Sequence, residues 1–208
     1  APLGSTTAGV QYLLADRQTR VEARDRATYR HFAMRPLTGD GVEQVAHVQV
    51  SFDPSYETLT LHAIKVLRDG RVQSRLDPAQ VKVLQQEKDL EARIYDGRKS
   101  ANVLLADVRV GDVVEYEYTV RGVNPAFRDR SFGSFDLQWK APVQTMVARL
   151  LLPEGREPFI LPRNAAARPA IRHRDGWVEY LWQGSAVPAQ QSDDDEPGWY
   201  DPFASAQW

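Results

Sequence analysis

The sequence predicts a mostly β protein, an antiparallel β-sandwich of about ten short strands with at most one or two short helices. Three observations carry that expectation. β-Branched and aromatic residues alternate with polar ones at a period of two in segment after segment. Turn chemistry separates these segments, with Asp-Gly at 69–70 and 175–176 and Gly-Asp at 111–112. No segment carries the sustained i, i+3, i+4, i+7 apolar pattern of a long amphipathic helix.

From Gln18 to Met34, β-formers alternate with charged residues on both sides of Asp25-Arg26, which predicts a hairpin. Pro36 to Asp40 is rich in turn residues. Val42 to Phe52 then alternates Val45, His47 and Gln49 against Ala46, Val48 and Val50, which predicts a third strand ending at Asp53-Pro54. Thr58 to Leu67 is the clearest strand, and Arg68-Asp69-Gly70 returns it into Arg71 to Arg75. Gln85 to Asp96 holds too few apolar residues to choose between a loop and one short helix. Val103 to Val110 leads into Gly111-Asp112. The stretch from Val113 to Val120 then puts valine and tyrosine on one face and glutamate mainly on the other, as a half-buried strand does. Phe132 to Trp139, Val143 to Leu152, Ile171 to His173 and Trp177 to Trp182 complete the set, the last two as a hairpin. After Gly184 the composition changes to Asp193-Asp194-Asp195-Glu196 followed by Trp199, Tyr200, Phe203 and Trp208. Residues 1–184 thus read as one β-sandwich module and 185–208 as an acidic and aromatic linker.

A chain of 208 residues buries roughly 70% of its unfolded surface and supports a full core. Its 26 basic and 28 acidic residues give a net charge of −2 with no basic half, which argues against a nucleic-acid partner. No apolar run is long enough to span a bilayer, so membrane insertion is not expected. Cysteine is absent, which removes a thiol nucleophile, a disulfide and a thiolate zinc site.

Catalytic signals are sparse. His31, His47, His62 and His173 each stand alone in a strand-like run, without a second ligand at metal spacing. No Gly-x-Ser-x-Gly elbow occurs, and Gly39-Asp40-Gly41 lacks the lysine and helix onset of a phosphate loop. Glu115 and Glu117 fall on the same side of a strand roughly 7 Å apart, a spacing open to paired-acid hydrolysis but more simply a solvated face. Four contiguous acids lack the spaced oxygens and glycine of a calcium loop. No cofactor, metal or catalytic residue is therefore expected. Trp199, Tyr200, Phe203 and Trp208 are costly to leave in water, and either pack back or dock a neighbouring domain. Trp177 and Trp182 could stack on sugars, but five residues apart on a strand they face opposite ways.

Taken together, several fragments resemble the bacterial domain of unknown function that precedes transglutaminase-like domains in secreted and envelope proteins. The carrying residues are Gln18 to Val21, Leu61 to Gly70, the stretch Leu105 to Tyr118 that includes Val110-Gly111-Asp112-Val113-Val114-Glu115-Tyr116-Glu117-Tyr118, and Phe132 to Trp139 leading to Pro142-Val143. Their order and spacing hold over most of the chain. The resemblance implies a β-sandwich module and a periplasmic or extracellular location. It also implies a downstream partner domain with a Cys-His-Asp triad in the same protein. The function it suggests is accessory and non-catalytic, binding or orienting a peptide or protein substrate or docking the catalytic domain. The alternative is binding of cell-envelope glycans.

Overall fold

A computed structural model describes residues 9–85, 97–191, 197 and 200–208. Val10–Val21 (β1) and Arg26–Pro36 (β2) form the hairpin expected around Asp25-Arg26, paired from Val21–Arg26 back to Val10–Pro36. The expected third strand is only half a strand: Gly39–Ala46 is a helix (α1), and His47–Phe52 is β3. Thr38 caps the helix by accepting from the Gly41 N–H, Asp40 sits in its first turn, and Val45 and Ala46 are buried. Val42, Val45 and Ala46 stand at i, i+3 and i+4 and form a helical stripe, whereas Ala46, Val48 and Val50 alternate as a strand does, and the Thr38 cap marks where the helix begins. Beyond it, Val48 and Val50 point inward and His47 and Gln49 outward, as predicted.

Glu57–Arg68 (β4) turns at Asp69-Gly70 into Arg71–Ser74 (β5). Both turn residues take positive φ, 50° and 73°, the primed geometry whose twist matches that of the flanking strands. Lys82–Gln85 (β6) and Lys99–Leu104 (β7) follow, while the ambiguous stretch from 86 to 96 lies outside the described residues. The chain then crosses Gly111-Asp112 into Val113–Gly122 (β8). Asp112 holds this corner: Oδ2 accepts from the Arg109 N–H at 2.8 Å, and both carboxylate oxygens receive the Arg68 fork at 2.8 Å. Arg68 also reaches the Asp107 carboxylate at 2.9 Å. The Val-Gly-Asp-Val-Val stretch thus fixes a corner.

Of Phe132 to Trp139 only Ser134–Asp136 (β9) is strand. Val143–Pro153 (β10), Leu161–Arg163 (β11), Ala170–Arg174 (β12), Trp177–Val187 (β13) and Ser205–Gln207 (β14) complete the fold. The β12–β13 turn repeats the primed geometry at Asp175 and Gly176, with φ of 52° and 79°.

Eight strands form one sheet in the order β12-β13-β10-β1-β2-β8-β4-β5. All its pairs are antiparallel except β1 with β10, which run parallel from Tyr12–Val143 to Arg20–Leu151. Two smaller sheets, β11-β14-β9 and β3-β7-β6, cover one of its faces, which makes the molecule sandwich-like. Under the first, Phe135 and Ala206 pack on Ala148, Leu150, Tyr180 and Trp182. Under the second and α1, Val48 and Val103 pack on Met34, Ile64, Val66 and Val114. Among the described residues no helix is long and apolar enough to cross a membrane.

The stretch read as a linker rejoins this fold. The boundary at 184 falls inside β13, and β14 is the middle strand of its sheet, with Ala206 fully buried. Trp208 exchanges backbone bonds with Gly133 at 2.9 and 3.0 Å. Ala204-Ser205-Ala206-Gln207 carries no β-branched side chain, so it lacks a strand signal of its own. It is held by the sheet it enters.

Candidate functional site, an arginine-lined cleft

β1, β2 and β8 lie side by side in the middle of the large sheet. Cross-strand register sets Arg17 beside Arg30 and Arg30 beside Tyr118, then Thr19 beside Thr28 and Thr28 beside Val120, all on the face that carries the core. The two small sheets cover either end of that face. Between them runs a cleft of about 280 Å³ whose lining includes Arg26, Arg30 and Arg98 but a single carboxylate, Glu57. Ser51 of β3 borders one side, and Gly133, Ser134 and Trp208 the other.

The guanidiniums are unequally satisfied. Arg26 stands 4.0 Å from Glu57 and donates to the Phe132 carbonyl at 3.3 Å. Arg98 acts electrostatically on Asp53. Arg30 donates to the Tyr29 carbonyl at 3.4 Å and, among the described residues, has no carboxylate partner. Burial pushes its pKa down, opposed by Tyr118 and Asp136 and reinforced by Arg26. Arg17, next to it, is 6% exposed and donates from Nη1 to Asp136 at 3.0 Å. Its guanidinium lies 4.8 Å from the Trp139 ring centre and 5.9 Å from that of Phe135. Among the described residues its Nε and Nη2 have no hydrogen-bond partner. Burial pushes Arg17 down to about 10 despite Asp136. Holding guanidiniums out of water with unmet donors is costly, and such perturbed charges concentrate at functional sites.

Trp208 adds an indole Nε1–H that is also buried and unpartnered among the described residues. Its ring lies so close to Gly133 that a Cβ there would sit 2.6 Å from it. Guanidinium forks, hydroxyls and an aromatic wall form a surface rich in donors, suited to holding an anion. His31 and His62 are on the opposite face of the sheet, bonded to Glu115 at 3.0 Å and to Thr119 at 2.7 Å, so neither serves the cleft hydroxyls as a base.

Of the four aromatic residues singled out in the sequence, Trp208 and Phe203 line different cavities. Trp208 borders the cleft and packs near Phe135, with ring centres 6.3 Å apart. Phe203 lines a different cavity of about 330 Å³ with Tyr12 and Trp139. Tyr200 is 45% exposed, and Trp199 lies outside the described residues. Glu115 and Glu117 are half-buried: Glu115 meets His31 and Lys65, and Glu117 accepts from the Tyr29 hydroxyl at 2.7 Å. The paired acids thus belong to a network on the sheet's outer face. His47 bonds Asn102, and His173 stands 3.8 Å from Glu154. Among the described residues no three of His, Cys, Asp or Glu come together where a metal ion could be held. Trp182 is buried and Trp177 faces outward under Arg20, so the two form no common platform.

The cleft arginines escaped the sequence reading, although a signal was present. Arg17 and Thr19 share the inward register of Ala15 and Val21, and Thr28 and Arg30 that of Phe32 and Met34. Polar residues in an apolar register mark a face that is interrupted.

Comparison with known proteins fixes the family. Residues 24–191, most of the chain, match the Domain of Unknown Function DUF3857. The chain belongs to the DUF3857 family. No protein of curated function matches this DUF3857 chain. Among solved structures it superposes on a "putative protease" of Parabacteroides distasonis ATCC 8503 with a TM-score of 0.83 at 14% identity, over 98% of this chain and 40% of that one. The likeness is one of fold, and the DUF3857 chain spans less than half the length of that protein. An M1 zinc metallopeptidase from Deinococcus radiodurans gives a TM-score of 0.44 at 10% identity, over 97% of this chain and 42% of that one, too distant to inform the site.

Proposed function

We propose that this DUF3857 domain is a non-catalytic accessory module of a longer bacterial envelope protein, acting in the periplasm or outside the cell beside a transglutaminase-like domain. Its task is to bind or orient a peptide or protein partner. The observation that carries this reading is the cleft: a recess with guanidinium and hydroxyl donors and an aromatic wall. Absence of cysteine supports a non-catalytic role. That the chain covers 40% of the Parabacteroides distasonis protein supports a module joined to further chain. The location and the transglutaminase-like neighbour rest on the sequence resemblance alone.

The test is to titrate the chain against the separately expressed downstream domain, then to assay that domain for peptide hydrolysis and cross-linking with and without the chain. Binding together with a changed rate is expected. Absence of both would overturn the accessory role, and hydrolysis by this chain alone above a buffer blank would overturn the non-catalytic one.

A further inference from the structure

We infer that the cleft between the two small sheets binds a peptide carboxylate, with the Arg30 guanidinium as its counter-ion. The inference rests on the reading of the cleft as the recognition site and adds the chemical class of what it recognises.

Of the arginines that line the cleft, Arg30 has no carboxylate within ion-pair distance among the described residues, the influence of Asp136 and Asp16 reaching it only from further off. Arg17 pairs with Asp136 at 3.0 Å, Arg26 stands 4.0 Å from Glu57, and Arg98 acts on Asp53. Arg30 is left with a carbonyl of its own strand at 3.4 Å. A guanidinium without a carboxylate at ion-pair distance can take one from a ligand. The fork geometry of arginine matches the two oxygens of a carboxylate. Around it stand further donors, the hydroxyls of Thr28 and Ser134 and the Trp208 indole N–H, which is buried and unpartnered among the described residues. Val120, Phe132 and the Trp208 ring supply apolar wall for the stem of a side chain. A volume of about 280 Å³ is below that of most drug-sized sites and suits a single residue rather than a long segment. Glu57, the one carboxylate of the lining, is engaged by the Asp53 N–H at 2.7 Å and stands 4.0 Å from Arg26.

Two sources offer this group, an acidic side chain or a peptide C-terminus. The probes are therefore Ac-Ala-Ala-Glu-Ala-NH2 and its glutamine analogue, Ac-Ala-Ala-Ala-OH and its amide, and inorganic phosphate. Each is titrated into the 15N-labelled chain while the indole N–H resonances of its five tryptophans are followed, with that of Trp208 assigned from Trp208→Phe. The expected result is a saturable shift of the Trp208 signal with at least one carboxylate peptide, at least tenfold tighter than with its neutral partner. Whichever carboxylate peptide binds identifies the source. Arg30→Met should weaken that binding at least tenfold. Should Arg30→Met fold poorly, Arg30→Lys keeps the charge, loses the fork, and should still weaken binding severalfold. Equal binding of charged and neutral peptides would overturn the carboxylate inference and leave peptide recognition standing. Phosphate binding tighter than either carboxylate peptide would overturn it in favour of another anion. No shift with any probe would overturn the cleft as a site, whereas the accessory role would still be judged by the downstream-domain assay.

Discussion

Phe135 offers the sharpest test of how the small β11-β14-β9 sheet is attached. It is 1% exposed, with ring centres 5.7 Å from Trp182 and 6.3 Å from Trp208 and the Arg17 guanidinium 5.9 Å away. Phe135→Ala removes a buried ring from between two layers, which typically costs about 3–5 kcal/mol. Two lost aromatic contacts place this site in the upper half of that range, about 4–5 kcal/mol. With a urea m-value of about 2.5 kcal/mol/M, the unfolding midpoint falls by roughly 1.5–2 M. The assay is urea unfolding followed by both tryptophan fluorescence and far-UV circular dichroism, whose transitions should coincide. Phe159→Ala, at a ring 82% exposed, is the control and should change stability by less than about 0.5 kcal/mol. A loss below about 1 kcal/mol for Phe135→Ala, at unchanged m, would refute the packing of β9 and β14 on the large sheet. Residues 204–208 would then be a linker after all.

Arg17→Met should leave stability unchanged or raise it by about 1–4 kcal/mol, because a buried charge is replaced by an apolar side chain and Asp136, 55% exposed, returns to water; a loss above about 2 kcal/mol in urea unfolding would make Arg17 a structural bolt instead. Gly122→Ala should lower stability by about 1–3 kcal/mol or more, since φ is +139° and the new Cβ would sit 1.9 Å from the Tyr56 carbonyl oxygen; a thermal midpoint within 1 °C of the parent, on the order of measurement error, would contradict this backbone path. Arg68 holds the Asp107 carboxyl down to about 2 and the Asp112 carboxyl below its usual range. Both carboxyls are depressed by folding, so their contribution is complete above an unfolded value of about 3.9 and is lost as pH falls below it, for Asp107 toward about 2. Urea midpoints measured from pH 6 to pH 2.5 should fall less steeply below about pH 4 in Arg68→Gln than in the parent, and parallel curves would dismiss the Arg68 clasp as the cause.

Much of this fold is legible in the sequence because strands, unlike sites, are written locally. The alternation in Thr58 to Leu67 and Val113 to Val120 and the Asp-Gly turns at 69–70 and 175–176 each need only a few neighbouring residues, and each appears as expected. Two kinds of element are not written that way. α1 spans eight residues, so its stripe of Val42, Val45 and Ala46 is too short to stand out from the alternation of Ala46, Val48 and Val50 that follows until the Thr38 cap is weighed. β14 has no local signal because its stability comes from β9 and β11 on either side, with Ala206 buried beside Phe135 of β9. The parallel pairing of β1 with β10 joins residues more than a hundred positions apart, and nothing near either strand specifies it. The cleft belongs to the same class: Thr19 and Thr28 meet across a hairpin with Arg30 close by, but the cleft they line is completed by Ser134 and Trp208 from distant segments.

The arginine seam also accounts for a feature of the core. A sandwich of this size could bury one continuous apolar layer, yet the buried residues form two clusters, one under each small sheet. Between them β1 and β2 carry Arg17, Thr19, Thr28 and Arg30, on the face where their neighbours are apolar. Tyr12 packs against both clusters at one end of the seam, and apolar side chains at those four positions would extend that contact and add buried area at roughly 25 cal/mol per Å². The sequence instead keeps two guanidiniums and two hydroxyls there, and covers Arg17 with Phe135 and Trp139. Stability forgone in the middle of a core, with the polar groups held in place by aromatic neighbours, is what the proposed binding role of the cleft requires.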